Sequence, residues 1–256
     1  MGDDSTNTRK RKTKWITSYS SMPLLDAEKR LGFMLDEFES TAVPVNTILA
    51  TIQQECETPR ADAISNVKEK VYDAILQYLD IEGYPSASNA DFNEANISDL
   101  VLYIIGPIMS GAKSHTGRKI RLRREKEIIS TDFETGGREE FVVLDLISIT
   151  KRNYVLVIET KRSSLGEAMK QCLLSMKDMR DNNGVGQVYG FITVGESWRM
   201  LSYDGISFKV TRKMYVLFEG IEEEKERWMK DYSVLVECMY VALSNGGMVQ
   251  RDVVIG

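Results

Sequence analysis

Histidine is almost absent from this sequence, which contains a single one, His115, among 256 residues. Zinc hydrolases, ββα-metal nucleases and most hydrolases with a catalytic triad need histidine in a cluster with other polar side chains. The composition therefore argues against these classes. His115 itself lies in a polar segment with no cysteine nearby, so we expect it to be solvated.

Cysteine is scarce as well. Cys56, Cys172 and Cys238 are odd in number and far apart, which argues against a disulfide framework or a zinc knuckle and favours a reducing, intracellular compartment. No apolar run approaches the roughly 20 residues needed to span a bilayer, and the N-terminus lacks the apolar centre of a secretory signal, so no membrane association is expected. The formal net charge is −5. Contact with nucleic acid would therefore have to be local.

The rest of the composition is that of a soluble globular protein, with 43% apolar and 28% charged residues. We expect a disordered basic tail over 1–22, whose run from Arg9 to Lys14 suits a nuclear localisation signal, a phosphate-binding arm or a solvated tail. Helices are predicted at 24–40, 45–56 and 62–79 within an N-terminal module, 23–85. A mixed α/β core over 86–220 and closing helices over 221–256 follow. Within the core we expect an apolar helix over 94–109 that is interrupted near Gly106 and Pro107, and a turn over 134–138 before the central strands.

The segment 141–175 organises the predicted core. Phe141 to Ile149 and Tyr154 to Ile158 read as two apolar strands, with a turn at 151–153 and a helix from about residue 164. If the turn closes a three-residue hairpin, Asp145 lies directly opposite Glu159. Opposed carboxylates near an apolar sheet are unfavourable unless something neutralises them.

A divalent cation would neutralise this pair. Mg²⁺ prefers one or two carboxylates and keeps waters for a phosphate substrate, and strand alternation puts Lys161 on the same face as Glu159. In a purely structural interpretation, Asp145 and Glu159 are strand-end charges. Their partners would then be Lys151, Arg152, Lys161 or Arg162.

Asp145 followed by Glu159-Thr160-Lys161 resembles the PD-(D/E)xK motif of restriction-endonuclease-like nucleases, although Leu144 stands at the position of the motif's proline. The segment Gly166–Gln171 is similar to the helix that carries a glutamine in the exonuclease and archaeal-type restriction branches. The resemblance covers roughly residues 94 to 210. Related domains occur in restriction and repair enzymes, mobile elements and Crinkler-type effectors, and the basic N-terminal arm favours the effector or mobile-element setting.

The resemblance implies an αβββαβ core with a mixed sheet and metal-dependent hydrolysis of nucleic acid, with DNA favoured over RNA. Mg²⁺ or Mn²⁺ would be held by Asp145, Glu159 and the carbonyl of Thr160, with Glu94 of the preceding helix as a further ligand. Lys161 would orient or activate the attacking water. Gln171 would assist catalysis. A helix-dipole role for Glu94 and a surface position for Gln171 are the alternatives.

A basic strand is predicted at 119–130, where Arg121, Arg123 and Arg124 would contact the phosphate backbone together with Arg162. A solvated strand face explains the same pattern. A second function remains open, in which the chain keeps the nuclease fold as a catalytically inactive binding or scaffolding protein. A third is a protein-interaction domain formed by the terminal helices. The sequence predicts no oligomeric state.

Overall fold

A mixed eight-stranded sheet forms the centre of the chain in the computed structural model, which describes residues 14–55, 61–85 and 92–248. The strands are β1 Thr17–Ser18, β2 Ile120–Ile129, β3 Thr135–Leu146, β4 Arg152–Thr160, β5 Val188–Thr193, β6 Ser197–Tyr203, β7 Phe208–Val210 and β8 Met214–Tyr215. Their main order is β1-β3-β4-β5-β6-β7, with β2 on β3 and β8 on β6. β1 and β3 are parallel, as are β4 and β5, and the other pairs are antiparallel. The predicted α/β class with a mixed sheet is confirmed.

Helices cover both faces of this sheet. They are α1 Leu24–Leu31, α2 Leu35–Ser40, α3 Val45–Glu55, α4 Ala61–Glu82, α5 Glu94–Thr116, α6 Leu165–Asn183, α7 Lys225–Arg227 and α8 Val234–Asn245. A 3₁₀ turn at Ile221–Glu223 precedes α7, and a π-helical turn at Trp228–Tyr232 follows it. The order α5-β2-β3-β4-α6-β5 agrees with the predicted helix, three strands, helix and strand.

Two hydrophobic cores lie on opposite faces of the sheet. The first core packs α3, α4, α5 and α8 against one face. The second core packs α1, α2 and α6 against the other. The four N-terminal helices are therefore divided between the two faces of the sheet.

The side chains of strand β2 switch from one face of the sheet to the other at Glu125. Arg124 pairs with Phe141 and Lys126 with Glu139, while Glu125 between them has a φ of 48°. Ile120 packs in the first core but Ile128 packs in the second, although residues eight apart in a regular strand share a face. The paired strand β3 shows the same switch, so its side chains do not alternate regularly between the two faces around residues 139–141.

Two predictions about the N-terminus are wrong. Residues 14–22 are ordered, because β1 pairs with β3 and the Tyr19 hydroxyl donates to Oδ2 of Asp178 at 2.7 Å in the second core. The helix expected over 24–40 is split in two at Gly32, whose φ of 86° is a left-handed conformation that glycine favours. Most of the basic run, residues 9–13, lies outside the described residues.

Helix α5 is longer than predicted. Gly106 and Pro107 do not interrupt it, since Ile104, Ile105 and Ile108 are buried in the first core around them. By length and composition α5 could cross a membrane, so the expectation that no segment approaches this length is wrong. Half of its most apolar 18-residue window is buried inside the protein. A core helix meets the same criterion.

The central hairpin also differs from its prediction. β3 starts at Thr135, so the expected turn over 134–138 belongs to the strand, and the loop of the hairpin is residues 147–151. Ile147 and Ile149 are predicted to lie in a strand because they are apolar, but they lie in this loop, where Ile149 is 97% exposed. The longer loop changes the pairing of every residue in β3 and β4.

Candidate active site

Asp145 and Glu159 are not opposite each other. Asp145 pairs with Asn153, and a register shift lies between Val143 and Leu144. Glu159 lies six positions after Asn153 in β4, which is a distance of about 20 Å along a strand. Asp145 and Glu159 therefore cannot hold one metal ion together, and the predicted site is wrong in its first carboxylate.

Asp145 has a structural partner instead. Nε of Arg118 donates to its Oδ2 at 2.9 Å, and both side chains are buried. Asp145 is therefore a paired structural charge, but its partner Arg118 is none of the four basic residues that the structural interpretation names. Glu159 does pair with one of those four, Lys161.

Glu159 instead meets two side chains at the end of β4, where Glu139 of β3 and Lys161 lie beside it. Phe141 pairs with Ile158, so the residues just before Phe141 run beside those just after Ile158. The carboxyl of Glu139 is within hydrogen-bonding reach of the carboxyl of Glu159. Nζ of Lys161 donates to Oε1 of Glu159 at 2.9 Å. This group is the candidate active site.

Glu139 is the least compensated charge in the group. It is 1% exposed, and its Oε2 has no hydrogen-bond donor among the described residues. Burial raises the pKa of Glu139 well above the ordinary carboxyl value, and the charge of Glu159 raises it further. Burial also raises the pKa of Glu159, against the opposing effect of Lys161. Two carboxylates this close ionise together only when a cation compensates them.

The neighbouring Glu140 is already satisfied. Its two carboxylate oxygens accept hydrogen bonds from the hydroxyls of Ser98 on α5 and Thr160 on β4, and Arg124 lies 3.9 Å away. These bonds fix α5 to the end of β4. Of the two adjacent glutamates, Glu139 is therefore the one whose carboxylate has an oxygen available to coordinate a metal ion.

Lys161 links the pair to α5. Its Nζ lies 3.5 Å from Oε1 of Glu94 and 3.0 Å from the carbonyl oxygen of Thr160. Burial lowers the pKa of Lys161, but the charges of Glu159 and Glu94 outweigh it and the net shift is upward. Lys161 is therefore a stable cation. Glu94 is in the first turn of α5 and faces this cation. This position is compatible with a role as a metal ligand and with a helix-dipole role.

The donor set suits a hard divalent cation. Glu139 and Glu159 supply carboxylate oxygens and Thr160 a carbonyl oxygen, the ligand types that Mg²⁺ and Mn²⁺ accept. Within residues 14–55, 61–85 and 92–248, no three His, Cys, Asp or Glu side chains form a ready-made metal cluster. Mg²⁺ needs only one or two carboxylates and retains waters, so the residues present fit it.

Gln171 lies on the flank of α6 that faces β3. Asp178 is two helical turns further on and shares this flank, and its Oδ2 accepts a hydrogen bond from the hydroxyl of Thr135 on β3 at 2.8 Å. Gln171 is half-buried. Its role at the site stays a prediction.

The predicted phosphate-binding arginines are all exposed. Arg124 lies 3.9 Å from Glu140, which is the neighbour of Glu139 in β3. Arg121 and Arg123 pair with Leu144 and Val142, so they lie on the second-core face of edge strand β2. Arg162 follows Lys161 in the loop before α6.

Sequence reasoning misses Glu139 and Glu140, because the preceding Gly136 and Gly137 are typical of a turn. Antiparallel geometry offered the correct signal, since the end of one strand lies beside the beginning of the strand before it. A carboxylate that meets Glu159 must therefore come from the start of β3. In comparisons with known proteins, no family model and no curated protein matches this chain.

Proposed function

We propose that this chain is a metal-dependent nuclease with a restriction-endonuclease-like core, in which Glu139 takes the place first given to Asp145. The observation that carries the proposal is the buried, unpartnered carboxylate oxygen of Glu139 beside Glu159 and Lys161. The element order α5-β2-β3-β4-α6-β5 supports it. The substrate would be nucleic acid, with DNA favoured.

Each residue has a role that follows from its surroundings. Glu139, Glu159 and the Thr160 carbonyl would hold Mg²⁺ or Mn²⁺, which would lower the pKa of a bound water and polarise the phosphate. Lys161 is held as a cation beside Glu159, so it would stabilise charge that develops on the phosphate and orient the water by donating a hydrogen bond. Glu94 orients Lys161 from the other side.

Glu140 has a positioning role in this scheme. Its bonds to Ser98 and Thr160 hold the first turn of α5, which carries Glu94, against the end of β4. The same bonds fix the backbone of Thr160, whose carbonyl is one of the proposed ligands. Glu140 would therefore influence the site without touching the metal or the substrate.

Calorimetric titration with Mn²⁺ tests the proposal directly. The wild type should bind Mn²⁺, Glu139→Gln should lose most of this affinity, and Glu134→Gln should keep it, because Glu134 is exposed just before β3 and has no role in the proposed site. The Glu134 variant is a matched control, since it makes the same change five residues away. Equal binding by both variants would contradict the assignment of Glu139.

Cleavage assays then test the chemistry. Linear DNA, circular DNA and RNA should be incubated with each protein in Mg²⁺ or Mn²⁺, and Lys161→Met should reduce cleavage by about 10²-fold or more while the protein stays folded. Cleavage of linear DNA but not of circular DNA would show that the enzyme requires a free DNA end.

The inactive binding protein is the second candidate. The 2.9 Å contact between Lys161 and Glu159 favours it, because an internal cation already compensates one carboxylate. This candidate requires no metal. A wild-type protein that binds nucleic acid but neither binds Mn²⁺ nor cleaves would support it over the nuclease.

A further inference from the structure

Arg199 of β6 lies in the same row of the sheet as Glu159. Glu159 pairs with Ile192 of β5, and Ile192 pairs with Arg199. Directly paired residues project to the same face, so Arg199 and Glu159 share the second-core face, to which Ile192 also belongs. Two strand spacings separate their backbones, which is about 10 Å.

The guanidinium of Arg199 is buried but poorly satisfied. The Arg199 side chain is 9% exposed, and its Nη2 lies 2.9 Å from Oε1 of Glu39 on α2. Its Nε and Nη1 have no acceptor among the described residues. A guanidinium carries five N–H donors, and three of them belong to these two nitrogens. Donors that are buried without acceptors are strongly unfavourable, so this site is suited to an additional acceptor.

The acceptor that fits is an oxyanion. Arginine cannot lose its proton in a protein, and its planar set of donors matches the oxygens of a phosphate in a two-point contact. Glu39 is half-exposed, so its ion pair with Arg199 is weak and can yield to a competing anion.

We propose that Arg199 binds a phosphate group of the substrate at a second position, separate from the phosphate that is cleaved. The assignment of this phosphate to nucleic acid rests on the proposed nuclease function. The separation of about 10 Å from Glu159 places it along the same strand of nucleic acid, away from the scissile phosphate. Glu39 holds Arg199 when no substrate is bound.

Thermal melting in inorganic phosphate, compared with chloride at matched ionic strength, tests the anion site without any metal. The wild type should melt at a higher temperature in phosphate, and Glu39→Gln should gain more because the competing carboxylate is gone. Arg199→Met should show only the smaller gain that phosphate gives to folded proteins in general. Arg138→Met is the control, since Arg138 is exposed on β3, and it should respond as the wild type does. If the gain in phosphate over chloride were the same for wild type and Glu39→Gln, the proposal would be overturned, even if Arg199→Met fails to fold.

Binding of labelled oligonucleotides in EDTA then tests the substrate assignment. Arg199→Met should weaken binding by about tenfold to a hundredfold, the loss expected for one hydrogen-bonded charged contact. A loss confined to 5′-phosphorylated oligonucleotides would identify a terminal phosphate, and an equal loss with 5′-hydroxyl oligonucleotides an internal one. Unchanged affinity for both would overturn the substrate assignment. Neither experiment uses Mn²⁺ binding or cleavage, so failure here is distinguishable from failure of the nuclease proposal.

Discussion

Arg118 and Asp145 form a buried ion pair, with Nη2 of Arg118 2.9 Å from Oδ2 of Asp145. The same guanidinium donates to the backbone carbonyls of Leu243, Ser244 and Gly246 at 2.6 to 2.8 Å. One arginine therefore joins the end of β3 to the C-terminal end of α8. These carbonyls would otherwise be among the unpaired acceptors of a helix end.

Asp145→Ala should destabilise the protein by about 3–5 kcal/mol, because it leaves the buried charge of Arg118 without its partner. Urea unfolding would measure the loss. Lys151→Ala, in the exposed hairpin loop, is the control and should change stability by less than about 0.5 kcal/mol. Folded Asp145→Ala protein should still bind Mn²⁺. If a fully folded Asp145→Ala variant lost Mn²⁺ binding, Asp145 would have to be considered a metal ligand again.

Glu139→Gln should make the protein more stable at neutral and alkaline pH. The pKa of Glu139 is raised on folding, so the folded wild type retains a proton that the unfolded chain has released, and its stability falls as pH rises from about 4.5 through the raised pKa. Glutamine does not ionise, so the variant avoids this loss, which we expect to be about 1–3 kcal/mol.

Melting temperatures from pH 4 to pH 9, measured in EDTA, would show this effect as a gap between Glu139→Gln and wild type that widens with pH. Added Mn²⁺ should narrow the gap by stabilising only the wild type. A constant gap over the whole range would mean that Glu139 does not titrate with a raised pKa.

Gly137→Ala should destabilise the fold, because a Cβ at this position would lie 2.5 Å from Cδ2 of Tyr19 and force β1 away from β3. Overpacking of this kind costs about 1–3 kcal/mol. Gly166→Ala makes the same change in helix α6, where a Cβ would meet only Oγ of Ser164 at 3.9 Å, and should stabilise by about 0.5–1 kcal/mol. Chemical denaturation of both variants checks this difference in sign. Equal effects would contradict the close contact between Gly137 and Tyr19.

Replacing Arg121 and Arg123 together by serine should weaken binding to duplex DNA similarly for all sequences. If each arginine contacts one phosphate, the slope of log affinity against log salt concentration should fall by about 0.9 per residue removed. Fluorescence anisotropy over a series of salt concentrations measures this slope. Arg138→Ser should leave it unchanged, since Arg138 is bonded to Glu127. An unchanged slope in the double variant would favour the solvated strand face.

The order of helices and strands was predictable because it follows from local patterns. Alternation in β2 and the apolar runs of β3 and β4 each identify a strand from its own residues. Helix α6 was predictable from its stripe of buried residues and its cap, Ser164, whose hydroxyl accepts from the N–H of Glu167 at 3.2 Å. The mixed α/β class follows from this order.

The register of the hairpin was not predictable in the same way. It depends on the length of the loop, and an exposed apolar residue such as Ile149 looks like a strand residue in the sequence. The face exchange at Glu125 has no local signal either, because a glutamate with positive φ occurs only where surrounding contacts impose it. The site class expected from Glu159 and Lys161 therefore stays a prediction, whereas the first carboxylate named for it, Asp145, is wrong.

The pairing of β1 with β3 has a consequence for how the protein folds. Tyr19 bonds to Asp178 across 159 residues of sequence, whereas β3, β4, α6 and β5 are consecutive in the chain. Contacts between distant residues form slowly, because a long loop must close before they contribute. We therefore expect the hairpin that carries Glu139 and Glu159 to assemble early, and the N-terminal strand to seal Glu139 from water only in a late step.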